Sequence, residues 1–434
     1  MSNRWKKNEG ASSPKGRWEA ARDSNKEKED KAFDLYADMI IKKIETVKED
    51  WKKPWFTEGQ LGWPKSFYGK KYHGSNALML ALLCEMKGYK MPVFVTSKRL
   101  DDLNYSKDEK GLRHALLDDN GEKLPFVHIL KGEKSFPVFL TKWNIVNKET
   151  RERIPLSDFI DLPQEEKEKY DAYHYSKVYN VFNIDQSNLS EARPELYNKF
   201  LEENVPTVKE YDGEVFSFEA LDVMVENNLW LCPIHPMNQD QAYYSPGKDE
   251  IIVPTKRQFQ RLGNTEAYYG TMLHEMTHST GHENRLNRLS GGHGTDEYAK
   301  EELVAELGAA MCCHRYGMDK VIKQDSLPYL KSWLDQLHEK PEFIRNVLKD
   351  VKAATNVIFT HIEAVRENRL DKIAKLDGRE EDAGLDMDED GNVLSEGSDA
   401  ILADKKQGEE EGRTKGEEDD NKQKPHILHS RYGF

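Results

Sequence analysis

His274, Glu275 and His278 stand in the order His-Glu-Met-Thr-His. On a helix, residues four apart share a face, so both imidazoles can reach one ion. The spacing points to a helix-borne zinc site of the metallopeptidase kind. Zinc lowers the pKa of a bound water, and Glu275 follows the first histidine, where a carboxylate can take the proton that water gives up. A second acidic pair, Glu302 and Glu306, lies one helical turn apart amid Leu303, Ala305, Leu307, Ala309 and Ala310. Carboxylates in an apolar stretch need partners, and a dication is a good one. Glu302 is therefore expected as the third protein ligand, leaving a fourth position for water. Glu306 is expected to accept a hydrogen bond from His274 and fix its tautomer. His282 competes with Glu302, although Gly281 is expected to break the helix just before it. His293 and His314 are expected bystanders, and Cys312 and Cys313, adjacent on a helix, point in different directions.

Helices must hold these groups. Asn264 can cap the first and Gly281 can end it, while Tyr268, Met272 and Met276 give it an apolar row. Thr295 is an N-cap for the second, Asp296 and Glu297 suit its positive end, and Gly317 stops it. A short strand, Glu250 to Val253, precedes the site. Further upstream, Phe33, Met39, Ile40, Ile44 and Val47 are spaced for one helical face, and a second helix runs from Asn76 to Gly88. Strand candidates follow at Val93–Thr96, Phe126–Leu130, Pro137–Thr141 and Lys177–Phe182. Near the end, Phe343, Ile344, Val347, Leu348, Val351, Ala354, Ile358 and Ile362 form an apolar stripe. The fold class is α+β. The expected division is a disordered polar tail (1–30), an α+β domain (31–187), a mainly helical domain (188–375) and a disordered acidic tail (376–434).

The net charge of −14 is unevenly spread. Between Glu380 and Asp420 there are seventeen acidic and four basic residues, whereas Lys31 to Trp143 holds twenty basic against fifteen acidic. A mildly basic N-terminal half keeps nucleic acid among the possible partners. No run of eighteen apolar residues is present, so no membrane span is expected. The N-terminus has no apolar h-region, and the four cysteines show no CxxC pairing. Both observations lead to a cytoplasmic expectation.

Residues 268–288, YYGTMLHEMTHSTGHENRLNR, resemble the ArdC-type antirestriction proteins of plasmids and conjugative elements. Glu301–Ala310 and Ala242–Pro254 are similar to that family too. So, in order, are Trp51–Trp55, Tyr72–Asn76, Phe94–Thr96, Lys131–Ser135 and Val181–Gln186. The resemblance covers roughly residues 31 to 370. It implies an N-terminal domain that binds single-stranded DNA and a zincin-like metallopeptidase domain. The latter's layout is similar to that of Spartan-type proteases, which degrade proteins on DNA. The chain departs from the pattern in an acidic insertion, Asp101 to Glu122, in Ser75, and in its acidic tail.

Sequence-tolerant binding of single strands needs aromatic platforms and cations. Residues 51–73 interleave them, which makes Lys52, Lys53, Trp55, Lys70, Lys71 and Tyr72 candidates. The resemblance adds Asn76. Lys131 and Lys134 flank Gly132 in a turn that could approach a phosphate. In the tail, Asp386–Glu396 mimics the start of a calcium loop, but its twelfth position is Gly397.

The function expected is a DNA-associated zinc metallopeptidase protecting incoming mobile-element DNA, with single-stranded DNA and a nearby protein substrate as partners. Tyr243 or Tyr244 could stabilise the oxyanion. The alternatives are a non-catalytic shield for single-stranded DNA with a structural or vestigial zinc site, and a housekeeping protease.

Overall fold

A computed structural model describes residues 14–49, 55–56, 62–160, 162–204, 216–261, 264–292, 294–318, 329–339 and 341–367. Lys52, Lys53, His293 and the acidic tail with its Asp386–Glu396 stretch lie outside the described residues.

The chain is α+β. Its N-terminal half runs α1 (Pro14–Glu49), β1 (Lys65–Ser66), α2 (Gly74–Lys87), β2 (Val93–Val95), α3 (Ser97–Asp102), β3 (Tyr105–Lys107), β4 (Arg113–Ala115), β5 (Phe136–Asn147), β6 (Arg153–Ile154), α4 (Leu156–Ile160), α5 (Gln164–Lys167) and β7 (Tyr170–Asn183). Then come α6 (Leu189–Ala192), α7 (Pro194–Glu203), α8 (Glu219–Glu226), β8 (Ile234–Met237), β9 (Tyr243–Ser245), β10 (Glu250–Pro254) and α9 (Lys256–Arg261). The last four helices are α10 (Thr265–Thr280), α11 (Asp296–Tyr316), α12 (Leu330–Glu339) and α13 (Pro341–Arg366). Among the described residues no helix is long and apolar enough to cross a membrane.

Helix α1 begins at Pro14, well before the start near residue 31 that apolar periodicity predicts. The preceding run is rich in Lys, Arg, Glu and Ala, strong helix formers that carry no apolar stripe. Proline fits the first turn because its missing N–H has no helical partner there. The acidic insertion folds as a small β3–β4 hairpin. Its acidic groups serve local ends: Arg113 reaches Asp101 and Asp102 at 2.9 Å each, and Asp108 and Asp118 accept backbone N–H groups in the turns.

The main sheet has the order β1-β2-β7-β5-β6. Phe126–Leu130, expected as a strand, does not join it beyond a bridge from Ile129 to Ser187. Side-chain amides replace the ladder there: the Val127 N–H donates to Asn104 at 2.7 Å and the His128 N–H to Asn188 at 2.8 Å. The three-stranded sheet β8-β10-β9 leads into the second half, with β10 parallel to β8 and antiparallel to β9.

The eight stripe residues of α13 are all buried. All of them but Ala354 belong to one apolar cluster that runs from α1 and α2 through α8, α10 and α11 to α12. The four cysteines are buried free thiols.

Asn76 belongs to this framework and not to an open surface. Its Nδ2 donates to the Phe139 carbonyl at 2.5 Å and its Oδ1 accepts the Phe139 N–H at 2.8 Å. Phe139 lies in β5, and these two groups point away from β7, so the amide stands in for a missing strand. The side chain assigned to nucleic acid is thus committed to the sheet edge. Asn76→Ala leaves both backbone groups unpaired and is expected to lower stability by about 1–3 kcal/mol in urea unfolding. Unchanged stability with weakened DNA binding would return Asn76 to the binding surface.

Candidate metal centre

Helix α10 starts where Asn264 Oδ1 accepts the Ala267 N–H at 3.2 Å, and it ends at Gly281. Tyr268, Met272 and Met276 are buried as its apolar row requires. Gly281 keeps a right-handed conformation, so it is needed for space: a Cβ would lie 3.0 Å from Leu289 and 3.1 Å from Arg288. That room lets the returning segment fold Arg288 back over the last helical turn.

Helix α11 starts where Thr295 Oγ1 accepts the Tyr298 N–H at 3.2 Å and stops at left-handed Gly317. It lies against α10 at Gly308, where a Cβ would come within 2.8 Å of Thr277 Cγ2. This close approach sets the acidic face of α11 against the histidines of α10.

His274 Nε2 and His278 Nε2 are 3.2 Å apart. Glu302 lies across from them, its Oε2 3.5 Å from His274 Nε2 and its Oε1 3.6 Å from His278 Nε2. The three residues form a group that could hold a metal ion. Bonds of about 2.0–2.2 Å in a tetrahedral arrangement separate neighbouring donors by roughly 3.3–3.6 Å, so the spacing fits. The donor chemistry fits as well. His278 Nδ1 faces Glu301 Oε1 at 3.1 Å. Donation there leaves a lone pair on His278 Nε2, pointed at another imidazole nitrogen and a carboxylate, which a cation would reconcile. Glu275 is buried beside the group, near enough for its charge to act on His278.

Burial alone would push the His278 imidazole down, but the hydrogen bond to Glu301 and the charges of Glu302, Glu301 and Glu275 hold it above its ordinary value. Burial opposes ionisation of Glu301, and the Arg288 guanidinium with His278 overcomes it, keeping the carboxyl below the usual carboxylate range. Arg288 grips Glu301 at 2.9 and 3.0 Å while donating to Thr280 Oγ1 at 2.8 Å and to the Thr277 carbonyl at 2.5 Å. Glu306 is fully buried and faces His274 Nδ1 at 3.6 Å, an ion-pair separation longer than a hydrogen bond.

Two parts of this arrangement escape the sequence reading. The Arg288–Glu301 pair behind His278 is one; its signal is a third carboxylate in the apolar run and an arginine thirteen residues before it. Tyr298 is the other. It lies one turn before Glu302, hydrogen-bonds it, and has its phenol raised above the ordinary range by burial and by the Glu302 and Glu275 charges. His282 lies past Gly281, its Nδ1 accepting the Asn284 N–H at 3.2 Å, outside the group. His314 is half-buried and packs against Phe56 and Trp63, and desolvation pushes it down to about 4. Tyr244 donates its hydroxyl to Asp249 at 2.8 Å, whereas Tyr243 is exposed.

The proposed DNA-contact residues divide. Trp55 is 0% and Tyr72 2% exposed, both in the main core. Neither can offer a face to a base, and those two assignments are withdrawn. Trp55, Phe56 and Trp63, beside the prolines of this stretch, pack into the main core. Lys71, Lys131 and Lys134 are exposed and Lys70 is half-buried.

Two family models match the chain: the N-terminal domain of anti-restriction factor ArdC over residues 30–182, and a zincin-like metallopeptidase over residues 232–349. A DNA primase TraC of Escherichia coli is 27% identical over 316 residues, which is 70% of this chain but 25% of that protein. The chain thus spans about a quarter of that relative. The uncharacterized protein y4eC of Sinorhizobium fredii is 24% identical over 310 residues, 70% of this chain and 84% of that one. The metal-free crystal structure of antirestriction ArdC from the R388 plasmid superposes with a TM-score of 0.51 at 25% identity, covering 77% of this chain and 98% of that one. Its Mn(II)-bound structure gives 0.50 at 25% identity, covering 76% and 97%. With both domains matched in order and the fold shared almost throughout the ArdC chain, the protein belongs to the ArdC-type antirestriction family.

Proposed function

We propose that the protein is a DNA-associated zinc metallopeptidase that protects incoming mobile-element DNA, cleaving a protein on or near single-stranded DNA. Residues 31–187 would serve the DNA and residues 188–375 the chemistry. The convergence of His274, His278 and Glu302 beside buried Glu275 carries the reading. Two imidazoles and one carboxylate are a donor set suited to zinc. The Mn(II)-bound form of the R388 protein supports a divalent ion in this family.

A bound dication would supply Lewis acidity, acidifying a water and polarising a carbonyl. Glu275 then accepts the water's proton and returns it to the leaving amine. Glu301, pinned by Arg288, keeps the His278 donor nitrogen turned toward the ion, and Glu306 is placed to do the same for His274. Of the tyrosines, Tyr244 has its proton engaged by Asp249. Tyr243 remains a candidate for the oxyanion, and Tyr298 joins it because it touches Glu302.

Glu275→Gln is expected to keep metal, at about one ion per chain, while peptidase turnover falls at least roughly 100-fold. Turnover retained in that variant would sink the mechanism. Protection of transferred DNA in a restricting host, retained with turnover lost, would favour the non-catalytic shield.

The buried pair gives a second test. Arg288→Met takes the guanidinium away from buried Glu301 and leaves the carboxylate to His278, at an expected cost of about 3–5 kcal/mol in urea unfolding of the metal-free protein. It should also weaken zinc binding roughly 10- to 100-fold in a chelator competition. Combining it with Glu301→Leu should recover most of the stability but not the affinity. Wild-type affinity in both variants would remove the positioning role.

A further inference from the structure

Strands β5 and β7 pair antiparallel from Phe136↔Val181 out to Asn147↔Tyr170. The root of this ribbon is core, with Val138, Leu140 and Val181 buried. Beyond it the ribbon leaves the sheet. Strand β2 pairs β7 only at Phe182 and Asn183, and β6 pairs β5 only at Ile145 and Val146. Among the described residues, β7 has no strand on its far edge from Tyr173 to Val181.

Alternate residues of a strand share a face, and residues paired across the ladder share it too. Tyr173, Tyr175, Lys177 and Tyr179 therefore form one row, with Lys142 opposite Tyr175. Tyr173 is 54% and Tyr175 47% exposed. Neighbouring members of the row are about 6.8 Å apart. Lys177 Nζ sits 4.8 Å from the Tyr179 ring centre, so a cation lies between the exposed rings and the root.

The charge of the ribbon is the second observation. Residues 136–147 and 170–183 contain Lys142 and Lys177 against one carboxylate, Asp171 at the outer end, in a chain whose net charge is −14. Exposed rings at regular spacing, interleaved with cations and with a single carboxylate beyond the outer ring, match a ligand with flat apolar faces and a regularly charged backbone. A single-stranded nucleic acid has both, whereas a duplex hides its base faces in the stack.

We propose that the face of the β5–β7 ribbon bearing Lys142, Tyr173, Tyr175 and Lys177 is the surface on which single-stranded nucleic acid lies. Bases stack on the two exposed tyrosines and phosphates meet the lysines. The proposal rests on the DNA-binding reading above and moves its contact surface from residues 51–73, whose aromatics Trp55 and Tyr72 are buried.

The test is fluorescence anisotropy of a labelled dT oligomer of about twenty nucleotides, titrated with the full chain at several salt concentrations. Tyr173→Ala/Tyr175→Ala is expected to weaken binding at least roughly tenfold, and Tyr173→Phe/Tyr175→Phe to restore it. Lys142→Gln/Lys177→Gln is expected to flatten the slope of log K against log salt by about 1.4. Wild-type binding that is tight and unchanged in affinity and slope in these variants would overturn the ribbon and leave the DNA-binding reading standing. No binding of dT by the wild-type chain would overturn both. A duplex bound as tightly as dT, and weakened equally by the alanine pair, would overturn the stacking geometry.

Discussion

At Gly308 the structure tolerates no side chain, and much of the metal centre follows from that. Alanine would be the better helix former by about 1 kcal/mol, yet its Cβ would stand 2.8 Å from Thr277 Cγ2. Thr277 cannot easily yield, because it is fully buried and its hydroxyl donates to the Leu273 carbonyl at 2.7 Å. The two helices are therefore locked in close contact one residue before His278. Glu306 and Glu302, four residues apart, share a face of α11 and approach His274 and His278. Glu275, Glu301, Glu302 and Glu306 are all buried, with Arg288 as the cation bound to one of them. So much carboxylate in so little water is costly without further positive charge. A divalent ion is the economical remedy, and the three converging donors are where it would act.

What the sequence disclosed of this site is what helical periodicity and end chemistry control. The four-residue spacing of His274 and His278, the caps at Asn264 and Thr295 and the stop at Gly317 are local, and each can be read without a neighbour. So can the α13 stripe, because one face of a helix must be covered. The Arg288–Glu301 pair is different: it requires the segment after Gly281 to double back over α10, and nothing local forces that. Glu301 and Glu302 look alike in sequence. Only tertiary packing gives one to Arg288 and His278 and turns the other toward both Nε2 atoms.

The N-terminal half was less legible for a related reason. Aromatics beside lysines and prolines suit either a binding loop or a loop folded onto helices, and composition does not separate the two. Trp55 and Tyr72 went inward. The β5–β7 ribbon was underestimated because lysine, asparagine and histidine interrupt its apolar alternation, yet a long ladder needs only a partner in register. Asn76 shows the same limit: its amide completes the edge of a strand more than sixty residues away in sequence.

Packing also joins regions that the family matches keep apart. Phe139 of β5 stacks on Phe33 of α1 at 4.6 Å, and Arg345 of α13 lies over the same Phe33 at 4.4 Å while pairing with Asp30 at 2.8 Å. Helix α13 in turn packs on α10 and α11, which carry the metal-site residues. The route from ribbon root to metal centre thus runs through close-packed side chains, which resist shear in a way that a linker does not. A peptidase tethered by a flexible segment could reach any protein within the tether's span. One fused through its core to a nucleic-acid surface reaches only what lies at a set distance and angle from the bound strand. On the proposed function, that geometry would itself select the substrate: proteins seated on single-stranded DNA are presented to the site, and proteins free in solution are not.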